Sequence, residues 1–293
     1  MENKKMISKH VKQKVMFWFM RLVTAIPLFF LVWIIGTIVI NGVGALSPAL
    51  IFGTPNPVNP ELWGVGPAIL GTIYVMVFTL MISLPIGILA AIYLTEYAGD
   101  NAFTRVIRSA INTLASVPSI VYGVFGFVFF LLILRFPKSA IVAALTLSLM
   151  TLPIIISASQ EALLSVPKSY REGALALGAT KWQSVKDHVL PNAMGGIMTG
   201  GILGLSRAGG ETAPILFVYA IALSGYVFDP LKPSMVLPFT IYNLALQSAN
   251  LEITLPIAYA SCLILLMIVI ALNGLAIYIR NRARRRLQIQ RAG

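Results

Sequence analysis

Six stretches of about twenty mostly apolar residues, near 22 to 40, 68 to 94, 116 to 134, 139 to 158, 194 to 222 and 256 to 279, decide most of what this chain can become. A bilayer core about 30 Å thick is crossed by about 20 helical residues at a rise of about 1.5 Å each, so every stretch is of span length. With no water to bond the backbone in hydrocarbon, such a stretch must satisfy its own N–H and C=O groups, and the helix does so within one segment. The expected fold is an all-α membrane protein with six transmembrane helices. Composition excludes an ordinary soluble domain: of 293 residues 58 % are hydrophobic and 11 % charged, and the mean hydropathy is +0.86.

The net charge of +12 raises the question of nucleic acid, but the positions of the charges answer it. Of the 22 Lys and Arg, six lie at or before Arg21, two between 96 and 115, four between 159 and 193, and six from Arg280 onward. The opposite side has only Arg135, Lys138 and Lys232. The excess of cations on one side places both termini in the cytoplasm, next to membrane lipid, with no nucleic acid partner. The chain then divides into a basic tail over 1–21, a first transmembrane helix over 22–40, an outer loop over 41–67, a helical core over 68–279 with a long inner loop at 159–193, and a basic tail over 280–293.

The lysines before the first apolar run imitate a signal peptide, and Gly42-Val43-Gly44 offers small residues for cleavage. The run from Leu22 to Ile40 is nevertheless as long as a span, so it reads as a retained helix. Cys262 is the single cysteine and forms no internal disulfide; with two histidines it leaves little for a metal or haem, and no cofactor is expected. Pro48, Pro55, Pro57, Pro60 and Pro67, with Glu61 the one acid, make residues 41–67 an extended loop. Pro85, Pro118 and Pro153 are expected to interrupt three spans, as in helices that line a cavity. The outer segment from Ser224 to Leu255 carries a helix-compatible run through Ile241, Leu244, Ala245 and Leu246, either a short surface helix or span packing.

Within the fifth stretch stand two formal charges, Arg207 and Glu211. A charge at the centre of a span costs about 2.5–3.5 kcal/mol even on insertion scales, and such residues default to a functional role. Four residues apart, they are expected to share one helix face. An Arg and a Glu facing one space suit an anion pathway, with Ser206 and Thr212 able to add hydroxyls or to bond their own helix backbone, the preferred reading for Thr212. The competing reading is an ion pair that pins two helices. Gly196, Gly200 and Gly204 recur every four residues and predict a ridge for close helix packing. Ser116, Ser119 and Tyr122 line up similarly in the third stretch and read chiefly as packing.

The inner loop has a helical pattern of its own. Pro167 and Ser169 signal a start, Arg171, Glu172, Ala174, Leu175 and Leu177 continue it, and Gly178 ends it in the left-handed conformation open to glycine. A second short helix is expected from Lys181 to Val189, stopping at Pro191. Gly173 and Gly178 have the spacing of P-loop glycines, but Ala179-Thr180 replaces the required Lys-Ser or Lys-Thr and no strand precedes them. The chain therefore has no nucleotide site, is not itself an enzyme, and leaves any ATP chemistry to another subunit.

Glu172-Gly173-Ala174, then Gly178, then Leu190-Pro191 resemble the EAA loop of type I ABC importer permeases, with Gly173 in place of the first Ala and His188 where Ile is usual. Pro118-Ser-Ile-Val-Tyr-Gly-Val-Phe-Gly, the loop from Arg171 to Trp182, and Ser206-Arg-Ala-Gly-Gly-Glu-Thr-Ala-Pro together resemble phosphate permeases of the PstA type over about residues 66 to 279. The resemblance implies a MetI-like type I ABC importer permease fold in a bacterial cell membrane. It also implies a second homologous permease, two copies of an ATPase seated on the EAA loops, and an extracytoplasmic phosphate-binding protein. Glu172, Gly173, Ala174, Gly178, Leu190 and Pro191 would then couple ATPase motion, while Arg207, Glu211, Ser206 and Thr212 would line the substrate path. A permease for molybdate or sulfate, or a proton-coupled transporter using Glu211, are the alternatives.

Overall fold

Small side chains decide which apolar helices meet, because lipid is as apolar as any leucine and helix association rests on close packing. The computed structural model describes residues 2–56, 59 and 63–292, with side-chain surroundings inside 12–282 of that set. Pro57, Pro60 and Glu61 of the outer loop lie outside the described residues. The order is α1 (Glu2–Val43), α2 (Pro48–Phe52), α3 (Gly66–Ile92), α4 (Ala102–Ala115), α5 (Ser119–Gly126), α6 (Ala140–Leu164), α7 (Lys168–Ala176), α8 (Lys181–Gln183), α9 (Leu190–Gly210), α10 (Ala213–Val218), α11 (Leu237–Tyr242) and α12 (Leu251–Ala292). π-helical turns extend α3 over Tyr93–Tyr97, α5 over Phe127–Ile133 and α11 over Asn243–Gln247, and another joins α8 to α9 over Ser184–Val189.

Five helical segments among the described residues are long and apolar enough to cross a membrane, and the bent pair α4 and α5 makes a sixth crossing if taken as one span. The chain is thus the nearly all-helical, multi-pass protein its hydropathy predicts. Helix α6 is the axis: its span window is 67 % buried, against 39 % for the α3 segment and none for α1. The glycine ridge explains one side of that burial. A Cβ on Gly196 would come within 2.5 Å of the Ala162 Cβ, one on Gly200 within 2.7 Å of the Ala158 Cβ, and one on Gly204 within 3.1 Å of Ile155, so α9 lies directly on α6. From α3, Gly87 seats against the same Ile155, and Ser148 of α6 donates to the Thr79 carbonyl at 3.3 Å. Helix α1 stands apart and touches α12 near its end, where Gly42 lies against the Tyr259 backbone.

Several boundaries differ from the sequence expectation, each for a local reason. The third stretch, expected over 116 to 134, is helical from Ser119 to Ile133, and the segment ahead of it, expected as inner loop, forms α4, which meets α5 at 104° around Ser116-Val117-Pro118. Tyr122 holds that corner by donating its hydroxyl to the Leu114 carbonyl at 2.7 Å. Pro85 and Pro153, by contrast, interrupt nothing and lie inside continuous helices. Pro191 does not stop the inner-loop helix either. A wide π turn precedes it, with Leu190 N–H bonded to the Val185 carbonyl, and the helix runs from Lys181 through to Gly210.

The fifth stretch breaks earlier than its hydropathy implies. Helix α9 ends at Gly210, Glu211 is extended at φ −79° and ψ 128°, and α10 restarts at Ala213. Pro214 has no N–H to give the Gly210 carbonyl, so one ladder bond is lost at this point, and Gly209-Gly210 just before it are poor helix formers. Glu211 therefore caps the helix and does not share its face with Arg207. At the far end, α11 combines the two readings of that segment: it is a short helix whose Leu237, Phe239 and Leu244 are buried against α3 and α12, while Leu246 is exposed. In the outer loop, a Cβ on Gly64 would strike the Gly53 backbone, and one on Gly53 would strike the Ala49 carbonyl. The Ser47 hydroxyl accepts from the Leu50 N–H to cap α2 beside them.

Candidate functional site

Arg207 sits in the last turn of α9, where the exposed carbonyls of a helix end favour a cation. Its Nε is 3.6 Å from Glu211 Oε1, close enough for an ion pair and beyond hydrogen-bond reach. The Arg207 side chain is 40 % exposed and the Glu211 side chain 19 %, and among the described residues the guanidinium donates no hydrogen bond. The five N–H donors of a guanidinium are thus open to an anion, with one carboxylate alongside. The pair lies within one continuous stretch of chain and, among the described residues, ties no second helix down.

The other residues expected at this site divide. Ser206 faces α12: it donates to the Ile202 carbonyl at 2.9 Å and accepts from Asn273 Nδ2 at 2.7 Å. Its hydroxyl serves a helix contact instead of the space before Arg207. Thr212 begins α10 without a side-chain cap, and its hydroxyl has no partner among the described residues. Gly123 of α5 packs against the backbone of Pro214, a Cβ there falling within 2.8 Å of Pro214 Cα, so the break at Glu211 and Thr212 is held against α5. The hydroxyls of Ser116 and Tyr122 bond the carbonyls of Thr113 and Leu114 at the α4 to α5 corner.

At the other end of α9, the inner loop folds as its residues require. Helix α7 begins after Pro167 and closes in a Schellman pattern, with Ala179 N–H bonded to the Ala174 carbonyl and Gly178 N–H to that of Leu175. Gly178 takes φ 87°, the left-handed conformation that this closure needs. Thr180 and Gln183 form a capping box that starts α8. Ala174 is buried, Glu172 and Gly173 are exposed, and Leu190 and Pro191 are half-buried where the π turn enters α9. Beside them Tyr170, Leu175, Leu177 and Trp182 are exposed, Leu177 at 91 %, an apolar rim on α7 and on the first turn of the helix that runs from Lys181 to Gly210.

Residues 83–287 match the family of binding-protein-dependent transport system inner membrane components. The chain belongs to that family. It is 34 % identical over 251 residues to the phosphate transport system permease protein PstA of Yersinia pestis, covering 85 % of this chain and 83 % of that one. It is also 34 % identical over 287 residues to the phosphate transport system permease protein PstA 1 of Mycobacterium tuberculosis strain H37Rv, covering 93 % and 88 %. A chain from the crystal structure of a bacterial alginate ABC transporter, in complex with an alginate pentasaccharide-bound periplasmic protein, shares the fold. Its TM-score is 0.69 at 16 % identity, over 94 % of this chain and 97 % of that one.

One feature of this inner-membrane component lies outside the sequence expectation. Arg171 of α7 makes a forked ion pair with Glu96 in the π turn that ends α3, Nη2 to Oε1 at 2.6 Å and Nε to Oε1 at 3.0 Å. The same guanidinium donates through Nη1 to the Val166 carbonyl and through Nη2 to the Leu163 carbonyl, both at 2.9 Å. Glu96 is 7 % exposed and Arg171 19 %. Lys181 of α8 rests over the Tyr97 ring at 5.2 Å. Arg171 and Glu96 thus bolt the inner-loop helix to the ends of α3 and α6. The signal in the sequence was a lone acid, Glu96, closing an apolar run.

Proposed function

We propose that the chain is the membrane-spanning permease of an ATP-driven importer that moves inorganic phosphate into the cytoplasm, with both termini on the cytoplasmic side. What carries the reading is Arg207: a half-exposed guanidinium with open donors, beside a carboxylate at a helix break, in a chain about one third identical to phosphate permeases over most of its length. Phosphate offers several acceptor oxygens and at least one negative charge, and a guanidinium meets it with paired donors. Glu211 at 3.6 Å competes for the same cation and keeps the anion's stay short. Conduction needs a site weak enough to release what it binds.

The importer comprises a second homologous permease, two copies of an ATPase, and an extracytoplasmic phosphate-binding protein. The ATPase seats on α7, with the exposed Leu175, Leu177 and Trp182 as its apolar contacts and Glu172, Gly173, Ala174 and Gly178 shaping the knob. Leu190 and Pro191 pass the motion into α9, which is continuous from Lys181 to Gly210 and carries Arg207 in its last turn. Reconstitution in vesicles tests this directly. Uptake of labelled phosphate requires ATP inside, the ATPase and the binding protein, and collapsing the proton gradient leaves it unchanged; gradient-driven uptake without ATP would overturn the reading.

Gly178 offers a finer test. No atom lies within 4 Å of a Cβ built there, so a substitution acts through backbone strain alone. Left-handed φ costs a β-branched residue on the order of 1–3 kcal/mol, and Asn tolerates it better. Gly178→Val is expected to loosen the end of α7 and lower the ATPase recovered on co-purification several-fold, with Gly178→Asn near wild type. Equal recovery for Val and wild type would remove Gly178 from the coupling role.

A further inference from the structure

Helix α9 meets its two neighbours in opposite ways. Toward α6 it presents the glycine ridge, a surface without side chains to interlock. Toward α12 it presents two hydroxyls, and a polar side chain meets each: Ser206 Oγ accepts from Asn273 Nδ2 at 2.7 Å, and Thr199 Oγ1 accepts from Arg280 Nη1 at 2.9 Å. The two rungs are built alike. Each hydroxyl donates its one proton to its own helix, Ser206 to the Ile202 carbonyl at 2.9 Å and Thr199 to the Gly195 carbonyl at 2.8 Å. What remains on each oxygen is an acceptor, and α12 supplies the donor.

The rungs stand two turns apart on both helices, 199 and 206 against 280 and 273, so they agree on a single antiparallel register. Gly209 extends that register toward the break at Glu211, a Cβ there falling within 3.1 Å of the Val269 side chain. Stability alone does not account for Asn273. Its Oδ1 is buried without a hydrogen-bond partner among the described residues, and a leucine at this position would strand no acceptor. A polar residue kept at one position of a helix contact fixes register at a cost in stability. Between spans, side-chain hydrogen bonds are also among the few directional contacts that one helix can make with another.

We propose that Asn273 is a positioning residue for Arg207, acting through Ser206, and that the two rungs make α9 and α12 one body that moves along α6. The inference rests on the pathway reading of Arg207. Ser206 precedes Arg207 in the last turn of α9, and successive residues of a helix are about 100° apart, so a slip of one residue against α12 turns the guanidinium out of the space it faces. Register held on the α12 side leaves the glycine face free to shift while Arg207 keeps its direction.

The test uses the complete importer reconstituted in vesicles and reads labelled phosphate imported per ATP hydrolysed, with the amount of assembled complex measured alongside. Asn273→Leu is expected to lower that ratio about fivefold at normal assembly, the scale of one hydrogen bond between spans. Ser206→Cys with Asn273→Cys, in a Cys262→Ser background, removes the rung and is expected to lower the ratio equally. Joining the two thiols with a short bifunctional reagent is expected to restore it, because a covalent rung holds the same register. A rung that only stabilises the fold predicts the reverse pattern, less assembled complex with a wild-type ratio in what assembles. That pattern, a wild-type ratio for Asn273→Leu, or a cross-linked protein that stays at the low ratio would overturn the proposal. Arg207→Lys, run in parallel, separates the two readings. A defective Arg207→Lys beside a normal Asn273→Leu sinks the rungs alone, and a normal Arg207→Lys beside a defective Asn273→Leu sinks the pathway role of Arg207 while the moving body stands.

Discussion

Arg171→Ala and Glu96→Ala are each expected to destabilise the solubilised protein by about 3–5 kcal/mol, the range for removing one partner of a buried ion pair. The stranded partner sets that size. With Arg171 gone, Glu96 is left 7 % exposed with no cation, and the Val166 and Leu163 carbonyls each lose a donor. With Glu96 gone, the guanidinium keeps its two carbonyls but loses its counter-charge. The double variant Arg171→Met with Glu96→Leu is therefore expected to recover only part of the loss. It removes both buried charges, yet leaves the two carbonyls unmet. Thermal unfolding of the solubilised protein, with ATPase recovery on co-purification, measures all three. A wild-type melting temperature for Arg171→Ala would show that the fork contributes nothing, and that the inner-loop helix is held by Ala174 and Val185 packing alone.

That clamp also marks where the sequence stops being readable. Arg171 and Glu96 are 75 residues apart, and each alone looks like a cation or an acid on a solvated inner face. Nothing local signals that a π turn rotates Glu96 toward α7. The spans themselves were legible because hydrocarbon imposes length and apolarity together, and the inner-loop helix because Pro167 and Gly178 punctuate it by backbone geometry. The α9 break was also written in the chain, as Gly209-Gly210 followed by Pro214, but a hydropathy window averages over such signals. The 104° corner was marked in the chain by Pro118, and its angle is held by a bond across eight residues, the Tyr122 hydroxyl to the Leu114 carbonyl.

A single helix joins the two proposed sites. From Lys181 to Gly210 the chain is helical throughout, about 45 Å at 1.5 Å per residue. Its first turns belong to the inner-loop knob, and its last turn carries Arg207. The glycine ridge at Gly196, Gly200 and Gly204 leaves a smooth track along α6, so a tilt or slide of α9 meets few interlocking side chains. Rigid elements with two arrangements are what carry coupling between distant sites.

Arg207→Lys is expected to cut ATP-driven phosphate uptake about tenfold or more, with assembly unchanged. Lysine keeps the charge at the end of α9 but replaces a planar fork with a single ammonium, and paired recognition of a tetrahedral anion is lost. Because the Arg207 side chain is 40 % exposed and holds no second helix, the variant should fold and bind its ATPase normally. Glu211→Gln separates the two roles open to the carboxylate. If Glu211 competes with phosphate for Arg207, the neutral side chain frees the cation: KM for phosphate falls and the maximal rate falls with it, the sign of an anion held too long. If Glu211 instead answers a cation on the second permease, the variant loses assembled complex while KM stays put. Near-normal uptake by Arg207→Lys at normal assembly would refute the pathway role outright, since nothing else in the geometry of this pair distinguishes a guanidinium from an ammonium.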